Sequence, residues 1–140
     1  MSAIILEKRG QQAWITLNRP EARNTLNGDA FVELADADLI IEAVIERAPV
    51  KQRIFKKLEP LARDETIFAS NTSALSISEM GAATGRPEKV IGMHFFNPVP
   101  VMKLCEVVKT LDTSVATFDA AFAYAESVGK TCVTAKDSPG

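Results

Sequence analysis

The stretch Leu39-Ile40-Ile41-Glu42-Ala43-Val44-Ile45 is an almost continuous apolar run that contains a single glutamate. An unalternating run of this length is typical of a strand that is covered on both faces, as in a parallel sheet. Between residues 50 and 58, apolar residues recur at the spacing of a helix. They share one side of this predicted helix: Val50, Ile54, Phe55 and Leu58. The stretch therefore predicts the first strand and helix of an α/β fold.

The alternation of strand and helix continues toward the end of the chain. Further strands are predicted at residues 66–70, 90–95, 104–108 and 131–134, and a short helical turn at 78–84. Ser114 is expected to cap a longer helix that Gly129 closes. The inward residues of that helix are expected to be Val115, Phe118, Phe122 and Ala125. This order of elements predicts βαβ units and a mostly parallel sheet.

The first 35 residues have a different pattern. Residues 3–6 and 13–17 are strand-like and flank a polar turn, which predicts a β-hairpin. A proline-broken loop and a short helix should follow, with Asn27 as a candidate N-cap and with these apolar residues: Leu26, Ala30, Phe31 and Leu34. The sequence thus divides into residues 1–35 and residues 36–140.

Composition excludes several classes of function. The formal net charge of −2 disfavours a nucleic-acid binder, and the basic residues near Lys51 are expected to form the solvated face of a helix. No apolar run approaches the ~20 residues of a membrane span, and no secretory signal is visible. Cys105 and Cys132 lack the spacing of a metal site or a disulfide framework. A reducing, cytoplasmic setting is therefore expected, with no metal.

Polar residues follow three of the predicted strands. Glu46 follows the first, Asn71-Thr72-Ser73 follow the second, and His94 and Asn97 close the third. The carboxyl ends of parallel strands meet at one rim, where α/β proteins bind ligands. His94 is the only histidine, and Glu106 comes twelve residues later. A histidine with a carboxylate partner can act as a general base, whereas a lone core histidine would only bond a backbone carbonyl.

Residues 36–140 resemble the NAD-binding domain of the 3-hydroxyacyl-CoA dehydrogenases of fatty acid β-oxidation. Four segments carry the resemblance: residues 38–46, 69–73, 92–102 and 137–140. The resemblance implies a Rossmann-like parallel sheet with flanking helices, NAD as the cofactor and an acyl-CoA as the substrate. No nucleic-acid or membrane partner is implied.

The resemblance also implies roles for individual residues. His94 matches the family's general base, which removes the proton of the substrate 3-hydroxyl, and Glu106 matches the glutamate that holds and polarises it. Ser73 matches a serine between cofactor and substrate. Three further residues match positions that contact NAD: Glu46, Lys51 and Asn97. Lys51 is thus a candidate for a role beyond a solvated helix face.

Residues 3–34 resemble a different family, the crotonases, which include the enoyl-CoA hydratases. The likeness is carried by residues 14–24, which read Trp-Ile-Thr-Leu-Asn-Arg-Pro-Glu-Ala-Arg-Asn. The oxyanion-hole loops and catalytic carboxylates of that family have no counterpart here, so hydratase activity is not expected.

One departure from the dehydrogenase pattern concerns the cofactor. The seven glycines form no G-x-G-x-x-G turn, which would let the backbone approach a pyrophosphate. The chain also stops before the family's next catalytic asparagine and helical domain. An incomplete, weakly active or inactive dehydrogenase is therefore expected. The alternative is a non-catalytic association module, which could self-associate through an exposed sheet edge.

Overall fold

The structure, a computed structural model, describes residues 4–9, 12–17, 34 and 36–138, the first two segments by their backbone. Strands β1 (Ile4–Arg9) and β2 (Gln12–Leu17) pair antiparallel in a sheet of their own, which confirms the predicted hairpin. Most of the helix predicted around Asn27 lies outside the described residues. Leu34 is described, and it is helical and buried.

A second sheet contains five strands in sequence order. They are β3 (Leu39–Glu42), β4 (Ile67–Ser70), β5 (Val90–Phe95), β6 (Leu104–Lys109) and β7 (Thr131–Lys136). The first three strands are parallel to one another, β6 is antiparallel to β5, and β7 is parallel to β6. The prediction of a mostly parallel sheet is confirmed, with one reversal between β5 and β6.

Three α-helices connect these strands in the part of the chain that the structure describes. They are α1 (Ala48–Leu58), α2 (Ile77–Ala82) and α3 (Val115–Ser127). Ser114 caps α3 as predicted, because its Oγ accepts a hydrogen bond of 3.1 Å from the Thr117 backbone N–H. Gly129 follows α3 with a φ of +84°, in the left-handed region that glycine adopts without strain.

Alternate side chains of the five-stranded sheet pack on opposite faces. Phe68 and Val90 point toward α1 and α2, where they join a cluster with Phe55, Ile77 and Met80. The intervening residues pack against α3 in a second cluster, which contains Ile67, Ala69, Ile91, Met93, Val107, Ala121 and Ala125. The sheet is therefore covered by helices on both faces, as its continuous apolar strands predict.

Three details of the predicted elements are wrong. The apolar run does not stay in a strand through residue 45, because β3 ends at Glu42 and its carboxylate bonds the backbone N–H of Val44. Val115 points outward and is 76% exposed, while Thr117 takes a buried position on α3. Lys51 is fully buried instead of solvated, whereas its basic neighbours on α1 are exposed as predicted: Arg53, Lys56 and Lys57.

The predicted α/β class, a hairpin followed by a mostly parallel sheet with flanking helices, is confirmed. Within the described residues, no helix has the length and apolar character needed to cross a bilayer. The same part of the chain holds no cluster of three or more His, Cys, Asp or Glu side chains suited to a metal ion.

Candidate active site at the ends of the parallel strands

Glu46 and Ser73 meet at the carboxyl ends of β3 and β4. The Glu46 Oε1 atom accepts a hydrogen bond of 3.1 Å from the Ser73 backbone N–H and another from the Thr72 hydroxyl. Thr72 in turn accepts a bond of 3.0 Å from the Leu75 N–H, which shapes the turn that carries Ser73. The predicted convergence of these two strand ends is present in the structure.

Glu46 is held in its ionised form. Its partial burial alone would raise the pKa of this carboxyl. The hydrogen bonds from Thr72 and Ser73 and the positive charge of Lys51 outweigh that effect, so the pKa of Glu46 lies below its usual value. The side chain is nevertheless 42% exposed, so an anionic acceptor faces solvent at this rim.

Behind Glu46 lies a buried ion pair. The Lys51 Nζ atom is 2.9 Å and 3.0 Å from the two carboxylate oxygens of Glu42, and neither side chain is more than 3% exposed. Glu42 also accepts hydrogen bonds from the Ser70 hydroxyl and from the Val44 N–H. A buried carboxylate is tolerated only when it is paired and hydrogen-bonded, and this one accepts four hydrogen bonds from three donor groups.

His94 and Glu106 form the second part of the site. They are register partners on the antiparallel strands β5 and β6, and the His94 Nδ1 atom is 2.9 Å from a Glu106 carboxylate oxygen. The ring of Phe96 lies against the imidazole, with 4.4 Å between the two centroids. Since a carboxylate only accepts, Nδ1 donates, and in the neutral imidazole the acceptor is therefore Nε2. This pairing excludes the alternative of a core histidine bonded to a carbonyl.

Asn71 joins the two parts of the site. Its side-chain oxygen accepts a hydrogen bond of 2.9 Å from the Phe95 backbone N–H, one residue after His94. Its backbone carbonyl faces the Lys51 ammonium at 3.4 Å. Asn97 stands apart, exposed just beyond the end of β5 and next to the cis bond to Pro98.

Two contributors were not singled out as functional from the sequence. Glu42 was visible as the one charge inside an apolar strand, a signal that predicts a buried partner. The second is Asp137, whose carboxylate accepts hydrogen bonds from the backbone of Ile77 and Ser78 at 3.0 and 2.8 Å and so caps α2. A long-range cap of this kind leaves no mark in local spacing.

The residues at this rim suit a nicotinamide dinucleotide in part. Ionised Glu46 is an acceptor for ribose hydroxyls, and the exposed Ser73 and Asn97 offer further polar groups. The position beyond the carboxyl ends of parallel strands is where such sheets bind dinucleotides. No glycine-rich turn for the pyrophosphate occurs among the seven glycines of the sequence.

Comparison with known proteins shows which family this chain resembles. The family model described as "3-hydroxyacyl-CoA dehydrogenase, NAD binding domain" matches residues 7–138. The match includes most of the segment from residue 3 to residue 34, so the comparison shows the dehydrogenase family there and does not show the predicted resemblance to the crotonases. A 3-hydroxybutyryl-CoA dehydrogenase of Clostridioides difficile is 45% identical over 128 residues, which cover 91% of this chain and 46% of that protein.

Two further proteins are similar. The human mitochondrial hydroxyacyl-coenzyme A dehydrogenase is 43% identical over 134 residues, covering 85% of this chain and 43% of that protein. The crystal structure of (S)-3-hydroxybutyryl-CoA dehydrogenase PaaH1 from Ralstonia eutropha superposes with a TM-score of 0.76 at 43% identity, covering 79% of this chain and 39% of that one.

The chain spans somewhat less than half the length of these curated relatives. Its sheet and helices share the Rossmann-like architecture of the solved dehydrogenases, as the resemblance implied. The match of the family model over residues 7–138, nearly the whole chain, decides the family. The chain belongs to the family of NAD-binding domains of the 3-hydroxyacyl-CoA dehydrogenases.

Proposed function

We propose that this chain carries the NAD-binding and proton-transfer part of a 3-hydroxyacyl-CoA dehydrogenase of β-oxidation, which oxidises (S)-3-hydroxyacyl-CoA to 3-oxoacyl-CoA. The observation that carries the proposal is the contact of 2.9 Å between His94 Nδ1 and Glu106. With Nδ1 occupied, Nε2 is the atom that accepts the proton of the substrate hydroxyl. Glu106 fixes this tautomer and stabilises the imidazolium that results.

Ser73, Glu46 and Asn97 are the residues that we propose hold the cofactor. NAD, when bound, supplies the hydride acceptor for the oxidation. The Glu46 carboxylate would accept from ribose hydroxyls, and Ser73 would hydrogen-bond the substrate hydroxyl between cofactor and base. Lys51, which the family resemblance also places among the cofactor contacts, lies buried behind Glu46.

The absence of a G-x-G-x-x-G turn from the sequence weakens the expected activity. Such a turn holds the pyrophosphate on backbone N–H groups at a helix N-terminus. Without it, the nicotinamide is held less rigidly, and misplacement of reacting atoms by about 1 Å can cost about 100-fold in rate. We therefore propose that the chain alone is weakly active or inactive.

A second candidate function is a non-catalytic association module. Among the described strands, β3 pairs on one side only, with β4, so its other edge presents backbone donors and acceptors. We propose that this edge supports self-association.

We also propose that the chain divides into residues 1–35 and 36–140, and that the first part derives from a crotonase. This division is supported by the motif at 14–24 and by the separate hairpin sheet.

The proposed compartment is the cytoplasm. Cys105 and Cys132 are register partners on β6 and β7, and both are free thiols. Burial raises the pKa of Cys105 to about 12, so this thiol is unreactive. Two adjacent free thiols are compatible with a reducing setting. Fractionation of the source cells with an antibody to the chain tests this proposal, and recovery in an organelle would contradict it.

The test of the enzymatic proposal is NADH oxidation with acetoacetyl-CoA, the reverse reaction, followed at 340 nm. His94→Gln should abolish the turnover, since a positioned general base contributes about 10²–10⁴-fold. Lys56→Met, an exposed change on α1, is the matched control and should leave turnover unaltered. If neither the wild-type chain nor a variant oxidises NADH, and NADH fails to raise the melting temperature, the enzymatic proposal is wrong and the association module is the remaining candidate.

A further inference from the structure

Ser73 belongs to the connection between β4 and α2, residues 71–76, which is called the Ser73 connection below. Carboxylates hold this connection at both ends. At the rim, Glu46 accepts a hydrogen bond of 3.1 Å from the Ser73 backbone N–H. At the other end, where α2 begins, the acceptor is Asp137, which follows the last strand of the sheet. The exposed serine of the site therefore lies between two fixed points.

Asp137 uses both of its carboxylate oxygens. The Oδ1 atom accepts from the Ile77 N–H at 3.0 Å, and the Oδ2 atom accepts from the Ser78 N–H at 2.8 Å and from the Ser76 hydroxyl at 3.0 Å. Hydrogen bonds to a charged acceptor are about twice as strong as those between neutral groups. Three donors on two oxygens also fix the direction in which α2 starts.

The anchor is placed far from the rim. Because β6 and β7 run antiparallel to the first three strands of the sheet, β7 ends at the opposite edge from β3 and β4. The Ser73 connection therefore crosses the face of the sheet to reach Asp137. The backbone of Asp137 is itself held, since its N–H donates to the Lys109 carbonyl at 3.1 Å. The carboxylate thus acts on the rim from across the sheet.

Helix α2 needs this anchor to have a defined position. It has six residues, and a helix of this length is not stable alone. The side chains of Ile77 and Met80 pack into the core, but apolar burial is not directional. The hydrogen bonds of Asp137 are directional, so they decide where the Ser73 connection ends.

We propose that Asp137 is a positioning residue, which sets the place of Ser73 at the rim by holding the start of α2. Its role thus extends beyond the stability of the helix that it caps. The part of Ser73 in the reaction rests on the proposed function. The placement of Ser73 by Asp137 does not, and its test needs neither cofactor nor substrate.

The first test follows the Ser73 amide by ¹H–¹⁵N NMR spectroscopy. In Asp137→Ala the Ser73 connection loses one anchor. The Ser73 signal should therefore shift, and its hydrogen exchange should accelerate by about tenfold or more through local opening. The Val44 amide, which donates to Glu42 at the same rim, is the internal reference and should not change. An unmoved Ser73 signal in folded Asp137→Ala would overturn the proposal.

Two further variants separate position from stability. Ile77→Val removes one buried carbon from α2 but keeps the N–H that Asp137 accepts, and it should leave the Ser73 signal in place. Asp137→Asn keeps one acceptor oxygen, so it should move the Ser73 signal less than Asp137→Ala does. It also replaces Asp137→Ala if that variant does not fold. Equal shifts in Ile77→Val and Asp137→Asn would show that the packing of α2, and not the carboxylate, places Ser73.

The second test is a double-mutant cycle on kcat/KM for acetoacetyl-CoA in the NADH assay. Asp137→Ala should lower kcat/KM by up to about 100-fold, the cost of a misplacement of about 1 Å. If Asp137 acts through Ser73, adding this change to Ser73→Ala should cost nothing more. Asp119→Asn, an exposed loss of charge on α3, is the control and should leave kcat/KM unaltered.

Additive losses in the cycle would mean that Asp137 acts by another route, and they would overturn the inference. If the wild-type chain does not oxidise NADH, the proposed function fails. The Ser73 amide then decides the role of Asp137 by itself, so the two failures are distinguishable.

Discussion

His94 can serve as a base because its two ring nitrogens have different surroundings. Nδ1 is bonded to Glu106, the ring packs against Phe96, and the side chain is only 18% exposed. The imidazole therefore has one orientation and one tautomer, with Nε2 available for a proton. Pre-organisation of this kind lowers the cost of reaching a productive geometry.

Changing Glu106 to glutamine tests this view of the pair. The amide keeps the size of the side chain but loses the charge that stabilises an imidazolium. We expect turnover in the acetoacetyl-CoA assay to fall by up to about 10²-fold, part of the contribution of a general base. Thermal unfolding should change little, since the Glu106 side chain is 37% exposed. Unaltered turnover would show that Glu106 does not assist His94.

Sequence reasoning located some single residues well and others poorly. His94 and Glu106 were paired correctly because the carboxylate follows the histidine by twelve residues and both match the dehydrogenase family's pair. Lys51 was assigned to a solvated face because periodicity reports which side of a helix is apolar, and a lysine counts as polar there. Its burial depends on Glu42, a contact across nine residues that no local pattern encodes.

Among the elements, helix α2 depends most on distant residues. It has six residues, too few to be stable alone, and its N-terminus is capped by Ser76 and by Asp137 at the end of β7. Hydrogen bonds from Ser76, Ile77 and Ser78 hold the pKa of Asp137 below its usual range, against the opposing effect of partial burial. Asp137 therefore stabilises α2 when its carboxylate is ionised.

Asp137→Asn keeps an oxygen acceptor but removes the charge, so it should lower the free energy of unfolding at neutral pH by about 0.3–1 kcal/mol, the usual value of a negative charge at a helix N-terminus. Because the folded pKa is depressed, the contribution is complete above the ordinary pKa of 3.8 and is lost as pH falls through the folded value. Urea unfolding at several pH values should show the two proteins converging in acid. A constant difference at every pH would exclude this ionised cap.

Gly92 sets how closely α2 and β6 approach β5. A Cβ atom at this position would lie 2.8 Å from Val108 Cβ and 3.0 Å from an Ile77 side-chain carbon. Gly92→Ala should destabilise the protein by about 1–3 kcal/mol through overpacking. Gly81→Ala on α2 is the matched control, since its Cβ would have contacts no shorter than 3.4 Å. Equal melting temperatures for the two variants would contradict the packing argument.

At the scale of the whole molecule, the five-stranded sheet has two outer strands of different character. β3 is apolar except for Glu42 at its end, whereas β7 ends in Lys136, and an edge lysine discourages pairing with another chain. The carbonyl of Asp38 accepts from Ile67 of β4 and that of Glu42 accepts from Asn71, just after β4. By alternation, the N–H of Ile41 therefore points away from β4. An association through the sheet should therefore use β3.

Ile41→Pro removes the outward N–H of β3 without removing a bond to β4. We expect sedimentation velocity to show concentration-dependent association of the wild-type chain and much less association of this variant. Thr134→Pro makes the same change on β7 and should have no effect. A wild-type chain that is monomeric across the whole concentration range would refute association through this edge.

The architecture was more predictable than its details. Strand β5 was predicted with its observed bounds, because its β-branched start and its punctuated end leave little choice. The end of β3 was predicted at residue 45, three residues too late. Beyond Glu42, the backbone of Val44 bonds to the side chains of Glu42 and Lys51 instead of to a neighbouring strand, and such tertiary contacts cannot be read from local sequence. The same kind of contact, invisible to spacing, accounts for the cap by Asp137.

The reversal between β5 and β6 has a consequence for how the chain can vary. The two strands are joined by residues 96–103, and the opposition of His94 to Glu106 depends on strand pairing and not on the length of that connection. Residues inserted in the connection would leave the pair intact. A single residue inserted in β6 between Cys105 and Glu106 would break the alternation of the buried Cys105 and Val107 with Glu106. Either a core residue or the carboxylate would then turn to the wrong face of the sheet. The connection 96–103 should therefore tolerate inserted residues, whereas the neighbouring strand β6 should not, although the composition of the two segments does not show this difference.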